Sequence, residues 1–139
     1  MAGYSGTPLP RKLGIKEGHR VALLDAPGDF EKVLGDLPAA VSLRRGFAGT
    51  APLDVIVFFV TRRADLERRL ASAHSRMAPA AGLWIAWPKK GSGVATDMTE
   101  GAVREVALPT GLVDNKVCAI DDTWSGLRLV IRLALRPAR

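Results

Sequence analysis

One stretch of sequence decides the fold: Leu83-Trp84-Ile85-Ala86-Trp87-Pro88-Lys89-Lys90-Gly91-Ser92-Gly93. Its first five residues are apolar without alternation, which is typical of a strand buried on both faces of a parallel sheet. The residues after Pro88 are basic and spaced by glycine, and they indicate a loop at the end of that strand. We expect the other strands to be arranged around this one, with Trp84 and Trp87 packed on opposite faces of the sheet.

Strand and helix signals alternate on both sides of this stretch. The segment 54–60 is β-branched and aromatic, which makes it the strongest strand signal in the chain. Leu66, Leu70, Ala73 and Met77 form one apolar stripe at helical spacing. The predicted strands are 20–24, 41–44, 54–60, 83–87, 116–120 and 127–135, and the predicted helices are 8–13, 29–34, a segment between Thr61 and Pro79, and 98–108. This order predicts an α/β fold with helices on both faces of the sheet.

The weak strand 41–44 is predicted to lie at a sheet edge because little of it is hydrophobic. Only about nine residues, 46–54, separate it from the next strand, whereas a parallel crossover usually needs a dozen or more. An extended connection and an antiparallel edge strand both satisfy this spacing, so the sequence leaves the direction of the strand open.

Three local signals concern the two longer helices. Thr61 is well placed to cap the helix that follows it. Asp65 and Arg69 are expected to pair at i,i+4 on the outer face of that helix. Asp97 and Glu100 resemble a capping box at the start of the helix 98–108.

Length and composition predict a single domain spanning 1–139, of which 47% is hydrophobic and 24% charged. No apolar run approaches the roughly 20 residues of a membrane span. The N-terminus lacks the apolar core of a secretion signal, so we expect a cytoplasmic protein. Residues 1–7 are small and polar, and we expect them to be poorly ordered.

The net charge of +6 predicts attraction to anions. The basic residues are scattered in pairs along the chain, without a basic stripe interleaved with aromatic residues. This pattern argues against nucleic acid as a partner.

Ligands of open α/β sheets bind at the carboxyl ends of the strands. If the sheet is parallel, that edge gathers polar residues from the loops after several strands. The candidate ligand-binding residues are Asp25, Arg62, Lys89, Lys90, Ser92, Asp122, Trp124 and Ser125.

Each part of this candidate site has a functional and a structural interpretation. The loop from Lys89 to Gly93, followed by a helix start near Asp97, could cradle an anion, or it could be a solvated loop. Asp121 and Asp122 could bind Mg²⁺, although such a pair more often shapes a turn by accepting backbone hydrogen bonds. Trp124 could stack on a ligand or pack beneath its own turn.

The sequence gives little support to catalysis or to a metal. His19 and His74 are not placed to form a triad with Ser92 or Cys118, and no histidine or cysteine pair has metal spacing. Cys118 lies in an apolar strand and is expected to be an inert buried thiol. We therefore predict no cofactor, no metal and no catalytic residue.

Two segments resemble class I methyltransferases. Residues 13–24 resemble the approach to the first strand of that fold, and residues 77–85 resemble the helix-to-strand turn at its centre. The resemblance implies a Rossmann-like, mostly parallel sheet of about six strands in the order 2-1-3-4-6-5, with the last strand antiparallel. It also implies an acidic residue and two or three glycines after the first strand, and an acid at the end of the second.

The chain departs from that pattern where the family binds its cofactor. Asp25-Ala26-Pro27-Gly28 supplies the acid and one glycine, and the end of the second strand holds Arg44 and Arg45. The methyl-acceptor motifs after the third strand are replaced by Thr61-Arg62-Arg63.

Four motifs resemble a small actinobacterial family known as a domain of unknown function. They are Tyr4-Ser5-Gly6-Thr7-Pro8-Leu9, Trp87-Pro88-Lys89-Lys90, Gly93-Val94-Ala95-Thr96-Asp97 and Asp121-Asp122-Thr123-Trp124-Ser125-Gly126-Leu127. This resemblance implies a fold and carries no assigned activity.

The scaffold is thus predicted without the groups that would make it catalytic. We expect a non-catalytic binding or regulatory module that uses the Lys89 loop and the Trp124 turn for a protein partner. The alternative is an enzyme or sensor that binds a phosphorylated or nucleotide-like ligand at the same edge.

Overall fold

A computed structural model describes residues 6–136 and contains a six-stranded mixed sheet in the order β2-β1-β3-β4-β6-β5. Strands β2, β1, β3 and β4 are mutually parallel, whereas β6 runs antiparallel to both β4 and β5. The strands are β1 Arg20–Leu24, β2 Ser42–Arg45, β3 Leu53–Phe59, β4 Met77–Pro88, β5 Leu112–Ala119 and β6 Trp124–Ile131. The helices are α1 Leu9–Lys12, α2 Phe30–Leu34, α3 Arg63–Ser75 and α4 Glu100–Ala107, with 3-10 turns at Leu108–Thr110 and Leu133–Leu135. The predicted α/β fold class and strand order are confirmed.

Hydrophobic packing covers both faces of the sheet. Trp87 belongs to the core between the sheet and helices α3 and α4, while Trp84 belongs to the core on the side of α1 and α2. Trp84 is fully buried, and its Nε1–H donates to the carbonyl oxygen of Leu13 at 3.0 Å. This bond fastens the end of α1 to the central strand and satisfies the one polar atom of the indole.

The connection between β2 and β3 resolves the open question about the edge strand. β2 pairs with β1 in parallel, so residues 46–52 form an extended crossover without a helix. Arg76 holds this crossover, because its two terminal nitrogens donate to the carbonyl oxygens of Phe47 at 3.0 Å and Ala51 at 2.8 Å. Phe47 packs against the core on the α3 side and lies under the Arg76 guanidinium at 5.3 Å.

Helix α3 differs from the prediction at both ends. Arg62, and not Thr61, is its N-cap residue, and the N–H of Arg63 donates to Oδ1 of Asp97 at 2.7 Å. The helix ends at Ser75 because β4 begins at Met77, so Pro79 lies within a strand and not in a helix terminator. The pairing of β4 with β3, which starts at Met77 opposite Leu53, accounts for the early end of the helix.

Two side-chain predictions for the helices were wrong. Asp65 pairs with Arg68 at i,i+3, because Arg69 is drawn to Asp25 at the end of β1. Asp97 serves α3, and α4 is capped instead by Thr99, whose hydroxyl accepts from the N–H of Ala102 at 3.0 Å. Glu100 pairs with Arg104 within α4.

The two last strands begin earlier than predicted, at Leu112 and Trp124. The expected poor order of residues 1–7 falls mostly on residues 1–5, which lie outside the described residues. Within residues 6–136, no helix combines the length and the apolar character needed to cross a bilayer.

Candidate functional site

The carboxyl ends of β1, β3, β4 and β5 lie at one edge of the sheet, together with the start of β6. We call this edge the carboxyl rim and define it by residues 25, 61–62, 88–93 and 121–125. Pro88 pairs with Trp124 in the sheet, and the N–H of Lys89 donates to the carbonyl oxygen of Thr123 at 2.7 Å. The Lys89 loop and the Trp124 turn therefore form one continuous surface.

The Lys89 loop is built on two left-handed glycines. Gly91 and Gly93 have φ values of 87° and 86°, a conformation that other residues rarely adopt. The N–H of Ser92 donates to the carbonyl oxygen of Lys89 at 3.0 Å, and the Ser92 hydroxyl accepts from the N–H of Val94 at 3.2 Å. Several polar groups of the loop are thus satisfied within it, while Lys90 is exposed.

The Trp124 turn is shaped by Asp121. Its Oδ1 accepts from the N–H groups of Thr123 and Trp124, both at 2.8 Å. The structural interpretation of Asp121 is thereby confirmed, since these are the local bonds by which aspartate stabilises turns. Asp122, the neighbouring residue, is exposed at the tip of the turn.

Trp124 is half-buried and packs on the core. Its ring meets Phe59 edge to face at 5.0 Å, and Phe59 in turn meets Phe30 at 4.8 Å. Ser125, the next residue, is half-buried and pairs with Trp87 in the sheet. Packing therefore fixes the indole and leaves part of it at the surface of the rim.

Arg62 joins the rim where β3 passes into α3. The segment after the Lys89 loop crosses this point, because the carbonyl oxygen of Thr61 accepts from the Thr96 hydroxyl at 2.6 Å and from the N–H of Asp97 at 3.3 Å. Arg62 has an extended backbone and is exposed. The crossing brings Arg62 to the same surface as the Lys89 loop.

Asp25 is engaged in an ion pair. It follows β1 with a positive φ of 55°, which is uncommon for a residue other than glycine, and its Oδ2 lies 2.5 Å from Nη1 of Arg69. The Arg69 guanidinium also stacks at 5.3 Å over the ring of Phe58. The carboxylate of Asp25 is therefore paired with a guanidinium of helix α3.

Arg45, the last residue of β2, is bonded to the segment that follows β1. Its Nε and Nη2 donate to the two carboxylate oxygens of Glu31 at 2.8 and 2.7 Å. Its Nη1 donates to the carbonyl oxygen of Ala26 at 2.9 Å, and its Nη2 donates also to that of Pro27 at 2.7 Å. One guanidinium therefore binds both the loop after β1 and the helix α2.

The Arg45–Glu31 contact perturbs both groups. The hydrogen bonds from Arg45 lower the pKa of Glu31 to about 2, and the reciprocal bonds raise the pKa of Arg45. Sequence reasoning noted the arginines at this position but missed their partner. The available signal was a single acidic residue, Glu31, in the short helix after β1.

The remaining candidate groups lie apart from one another. His19 lines the opposite edge of the sheet, where β1 begins. Cys118 was predicted to be buried, but it is half-buried, and desolvation raises its pKa despite the nearby charges of Lys12 and Lys116. In the part of the chain that the structure describes, no three histidine, cysteine or acidic side chains are grouped as metal ligands would be.

Several solved structures share this fold. A SAM-dependent methyltransferase from Aquifex aeolicus superposes with a TM-score of 0.62 and 15% identity over 87% of each chain. A Sulfolobus solfataricus protein assigned to the type 11 methyltransferases gives 0.66 and 14% over 94% of each chain. Fibrillarin from Aeropyrum pernix, solved with natively bound S-adenosyl-L-methionine, gives 0.56 and 15% over 93% of this chain and 71% of that one.

These TM-scores show that the chain shares the fold of these methyltransferases. Identities of 14–15% do not extend the likeness to activity. No family model and no curated protein sequence matches the chain.

The residues at the ends of β1 and β2 do not fit a nucleoside cofactor such as S-adenosylmethionine. In dinucleotide-binding relatives of this architecture, ribose hydroxyls are held by a carboxylate after the second strand. Here that place holds Arg45, which has only donors and already donates to Glu31 and to two carbonyl oxygens. Asp25 is paired with Arg69, so the acid after the first strand is not available to a ligand either.

Proposed function

We propose that this protein is a non-catalytic binding module whose carboxyl rim receives an acidic surface of a protein partner. The proposal extends the shared fold to a role that the fold itself leaves open. The observation that carries it is the Arg45 network. At the end of β2, where dinucleotide-binding members of this architecture hold ribose hydroxyls with a carboxylate, this chain has a guanidinium bonded to Glu31 and to two carbonyl oxygens.

The charge of the rim favours an acidic partner. Within residues 6–136, the side chains of Arg62, Lys89 and Lys90 form no hydrogen bond or ion pair. Of the three acids of the rim, Asp25 is bound to Arg69 and Asp121 to backbone N–H groups, while Asp122 is exposed at the tip of the turn. Complementary charge steers association and fixes the register of a complex.

Trp124 supplies the apolar contact that such an interface needs. Tryptophan is enriched among the residues that carry most of the binding energy at protein interfaces. Trp124 is held rigidly by Phe59, so little side-chain entropy would be lost when a partner covers its exposed part.

Two segments singled out in the sequence, 87–90 and 121–127, lie on the two sides of the rim and are joined by the bond from Lys89 to Thr123. We place the module in the cytoplasm, where acidic proteins are abundant partners for a basic surface.

The alternative, a phosphorylated or nucleotide-like ligand at the same rim, is less well supported. Its anion cradle requires a helix start near Asp97, but α4 begins at Glu100 and its first turn is capped by Thr99. The N–H groups of Ser92 and Val94 are also already bonded within the loop.

A crosslinking and affinity experiment tests the proposal. A photo-crosslinking amino acid is placed at position 90 of the full chain in its own host, and a chain with the same group at position 16 is the control. A protein crosslinked from position 90 is identified by mass spectrometry and purified, and its affinity is measured by calorimetry. We expect Lys89→Glu/Lys90→Glu to weaken binding by about tenfold or more and to reduce its salt dependence.

Lys16→Glu is the control, because it reverses one charge at the opposite edge of the sheet and should leave the affinity unchanged. The proposal is overturned if no protein is crosslinked from position 90 in preference to position 16. It is also overturned if Lys16→Glu weakens binding as much as the double reversal does.

A further inference from the structure

A second surface, at the opposite edge of the sheet, is more strongly charged than the carboxyl rim. A cavity of about 480 Å³ lies between α1, the amino ends of β3 and β4, and the neighbouring parts of β5 and β6. We call it the amino-edge cavity. The charged residues that line it are Arg11, Lys12, Lys16, Lys116, Arg128 and Asp54.

Arg128 forms part of the floor of this cavity. It is half-buried on β6, and its guanidinium lies across β4 at Gly82. A Cβ atom at position 82 would collide with Nε of Arg128 and lie 2.9 Å from Cζ and Nη2. The missing side chain of Gly82 therefore provides the space in which the guanidinium lies flat on the sheet.

The charge of Arg128 is uncompensated within the described residues. Its side chain forms no hydrogen bond or ion pair with any residue from 6 to 136. Desolvation lowers the pKa of Arg128, and the charge of Arg136 lowers it further. A partly desolvated cation without a partner is costly, and the cost is relieved when an anion binds beside it.

Two other cations of the cavity contact only backbone carbonyl groups within residues 6–136. Nζ of Lys116 donates to the carbonyl oxygen of Lys12 at 3.1 Å, and Nζ of Lys12 lies 3.5 Å from that of Ala119. Both acceptors are neutral, so neither lysine is paired with a carboxylate of the described residues. Lys116 lies opposite Arg128 in the sheet, which places both cations on the same face.

Asp54 is the one carboxylate among the described lining residues, and it is bound elsewhere. Its Oδ2 accepts from the backbone N–H of Arg20 at 2.8 Å. Among the described residues, five cationic side chains thus line the cavity against a single acid that already has a donor.

We propose that the amino-edge cavity binds a small, multiply charged anion through its phosphate or carboxylate groups. Arg128 is suited to hold one such group in a bidentate contact, and Lys116 and Lys12 neutralise the rest of the charge. The cavity volume is within the range of small-molecule sites. Among residues 6–136, its lining contains no tryptophan, tyrosine or phenylalanine on which bases could stack, so the site suits a compact anion better than single-stranded nucleic acid.

This site is independent of the proposed partner surface. The carboxyl rim and the amino-edge cavity lie at opposite ends of β4, so a variant at one leaves the contacts of the other intact. Failure of either proposal therefore leaves the other standing.

Calorimetry on the full chain tests the site with two defined ligands, inorganic tripolyphosphate and citrate, at constant ionic strength. We expect saturable binding of at least one of them at one site per chain, and the stronger of the two identifies the group that the site prefers. Arg128→Gln should weaken this binding by about tenfold or more. Lys90→Gln, at the other end of the sheet, should leave it unchanged.

Gly82→Ala gives a test that keeps every charge. The new methyl group would push the guanidinium off the floor of the cavity, so we expect weaker anion binding at an unchanged net charge. Thermal unfolding separates binding from folding: without ligand, Arg128→Gln should be at least as stable as the wild type, because it removes an uncompensated charge. Tripolyphosphate or citrate should raise the Tm of the wild type and should raise that of Arg128→Gln by clearly less.

Three outcomes would overturn the proposal. The first is the absence of saturable binding of either anion at constant ionic strength. The second is an equal loss of binding in Arg128→Gln and Lys90→Gln, which would indicate general attraction by the net charge. The third is tighter binding of a single-stranded RNA oligonucleotide that competes with both anions, which would assign the surface to nucleic acid.

Discussion

Arg45 shows how a single residue can change what a fold is able to do. Its five donors match a carboxylate and two carbonyl oxygens that lie within reach after β1, so the guanidinium forms a tight cluster with Glu31, Ala26 and Pro27. A carboxylate at this position would offer an acceptor, whereas arginine offers only donors. The sheet is therefore built with donors where dinucleotide-binding members of this architecture have the acceptor that holds ribose.

The pKa of Glu31 reports directly on this cluster. The pKa is lowered from its ordinary value of 4.5 to about 2 by the bonds from Arg45, so the contact contributes fully to stability above pH 4.5. This contribution is lost as the pH falls from 4.5 towards 2, because protonation removes the charge that Arg45 holds. In Arg45→Gln we expect the Glu31 carboxyl to titrate close to its ordinary value, as followed by carbon NMR of its side chain.

Arg44→Gln is the matched control for this titration. Arg44 precedes Arg45 in β2 and is exposed, and it forms no contact with Glu31. A similar upward shift of the Glu31 pKa in both variants would contradict the assignment to Arg45. The pair is open to solvent, so its effect on stability should be small and should decrease with salt.

At the scale of elements, the helix ends follow contacts that come from other parts of the chain. Asp97 has the appearance of a cap for α4, yet it accepts from the N–H of Arg63 at the start of α3. The loop after β4 crosses the β3–α3 connection through the bonds to Thr61. This crossing places the Asp97 carboxylate at the start of α3, although a local capping rule would assign it to α4. Thr99 then takes over the cap of α4.

Two glycines beside α4 should respond in opposite ways to the same substitution. Gly111 has a φ of 92° after the 3-10 turn, and a Cβ there would lie 2.7 Å from Cδ1 of Leu135. Gly111→Ala should therefore lower the free energy of unfolding by about 1–2 kcal/mol, mainly through backbone strain. Gly101 is in α4 with no neighbour closer than 3.8 Å, so Gly101→Ala should raise it by about 0.5–1 kcal/mol.

Urea unfolding of the two variants measures both changes in the free energy of unfolding. If both substitutions shifted the unfolding free energy in the same direction, the left-handed conformation at Gly111 would not be the cause of its sensitivity. The comparison is well controlled, because each variant adds one methyl group near the end of one element.

The connection between β2 and β3 is another element whose form depends on a distant side chain. Residues 46–52 would be short for a crossover containing a helix, so the chain passes over β1 in an extended form. Arg76, at the other end of α3, supplies two of its hydrogen bonds, and Phe47 supplies its hydrophobic contact. The crossover is thus held by a residue that follows its bonded carbonyl groups by 25 and 29 positions.

At the scale of the whole molecule, the sheet has two polar edges with different properties. The carboxyl rim combines a fixed indole with cations on loops, and the amino-edge cavity combines a flat guanidinium with cations from α1 and β5. The parallel strands keep these edges apart, since each strand begins at one and ends at the other. Cations that form no ion pair within residues 6–136 therefore lie at both edges of the sheet.

The fold leads to a prediction about the cofactor of its structural relatives. Arg45 is bonded to Glu31 and to the loop after β1, at the place where a carboxylate would hold ribose hydroxyls. We therefore expect titration of the full chain with S-adenosylmethionine to give no saturable heat at millimolar concentration. Fibrillarin from Aeropyrum pernix, which was solved with this molecule bound, is the positive control. One-to-one binding to the present chain would contradict both the fit of the rim residues and the proposed non-catalytic role.

The sequence by itself determined which segments became the most deeply buried strands. Long apolar runs such as 54–60 and 83–87 lose contact with water in any compact fold, so their burial is a property of local composition. Because parallel strands end at the same edge, the meeting of the Lys89 loop with the Trp124 turn was also predictable from the order of the elements.

Only the tertiary structure decided how the charged residues are used. Glu31 and Arg45, Asp97 and Arg63, and Asp25 and Arg69 are separated by 14, 34 and 44 positions in sequence. Long polar side chains can reach any of several partners, and the choice among them depends on distances that exist only after the sheet has assembled. The space that Gly82 leaves for Arg128 is of the same kind, because it arises where two strands far apart in sequence lie side by side.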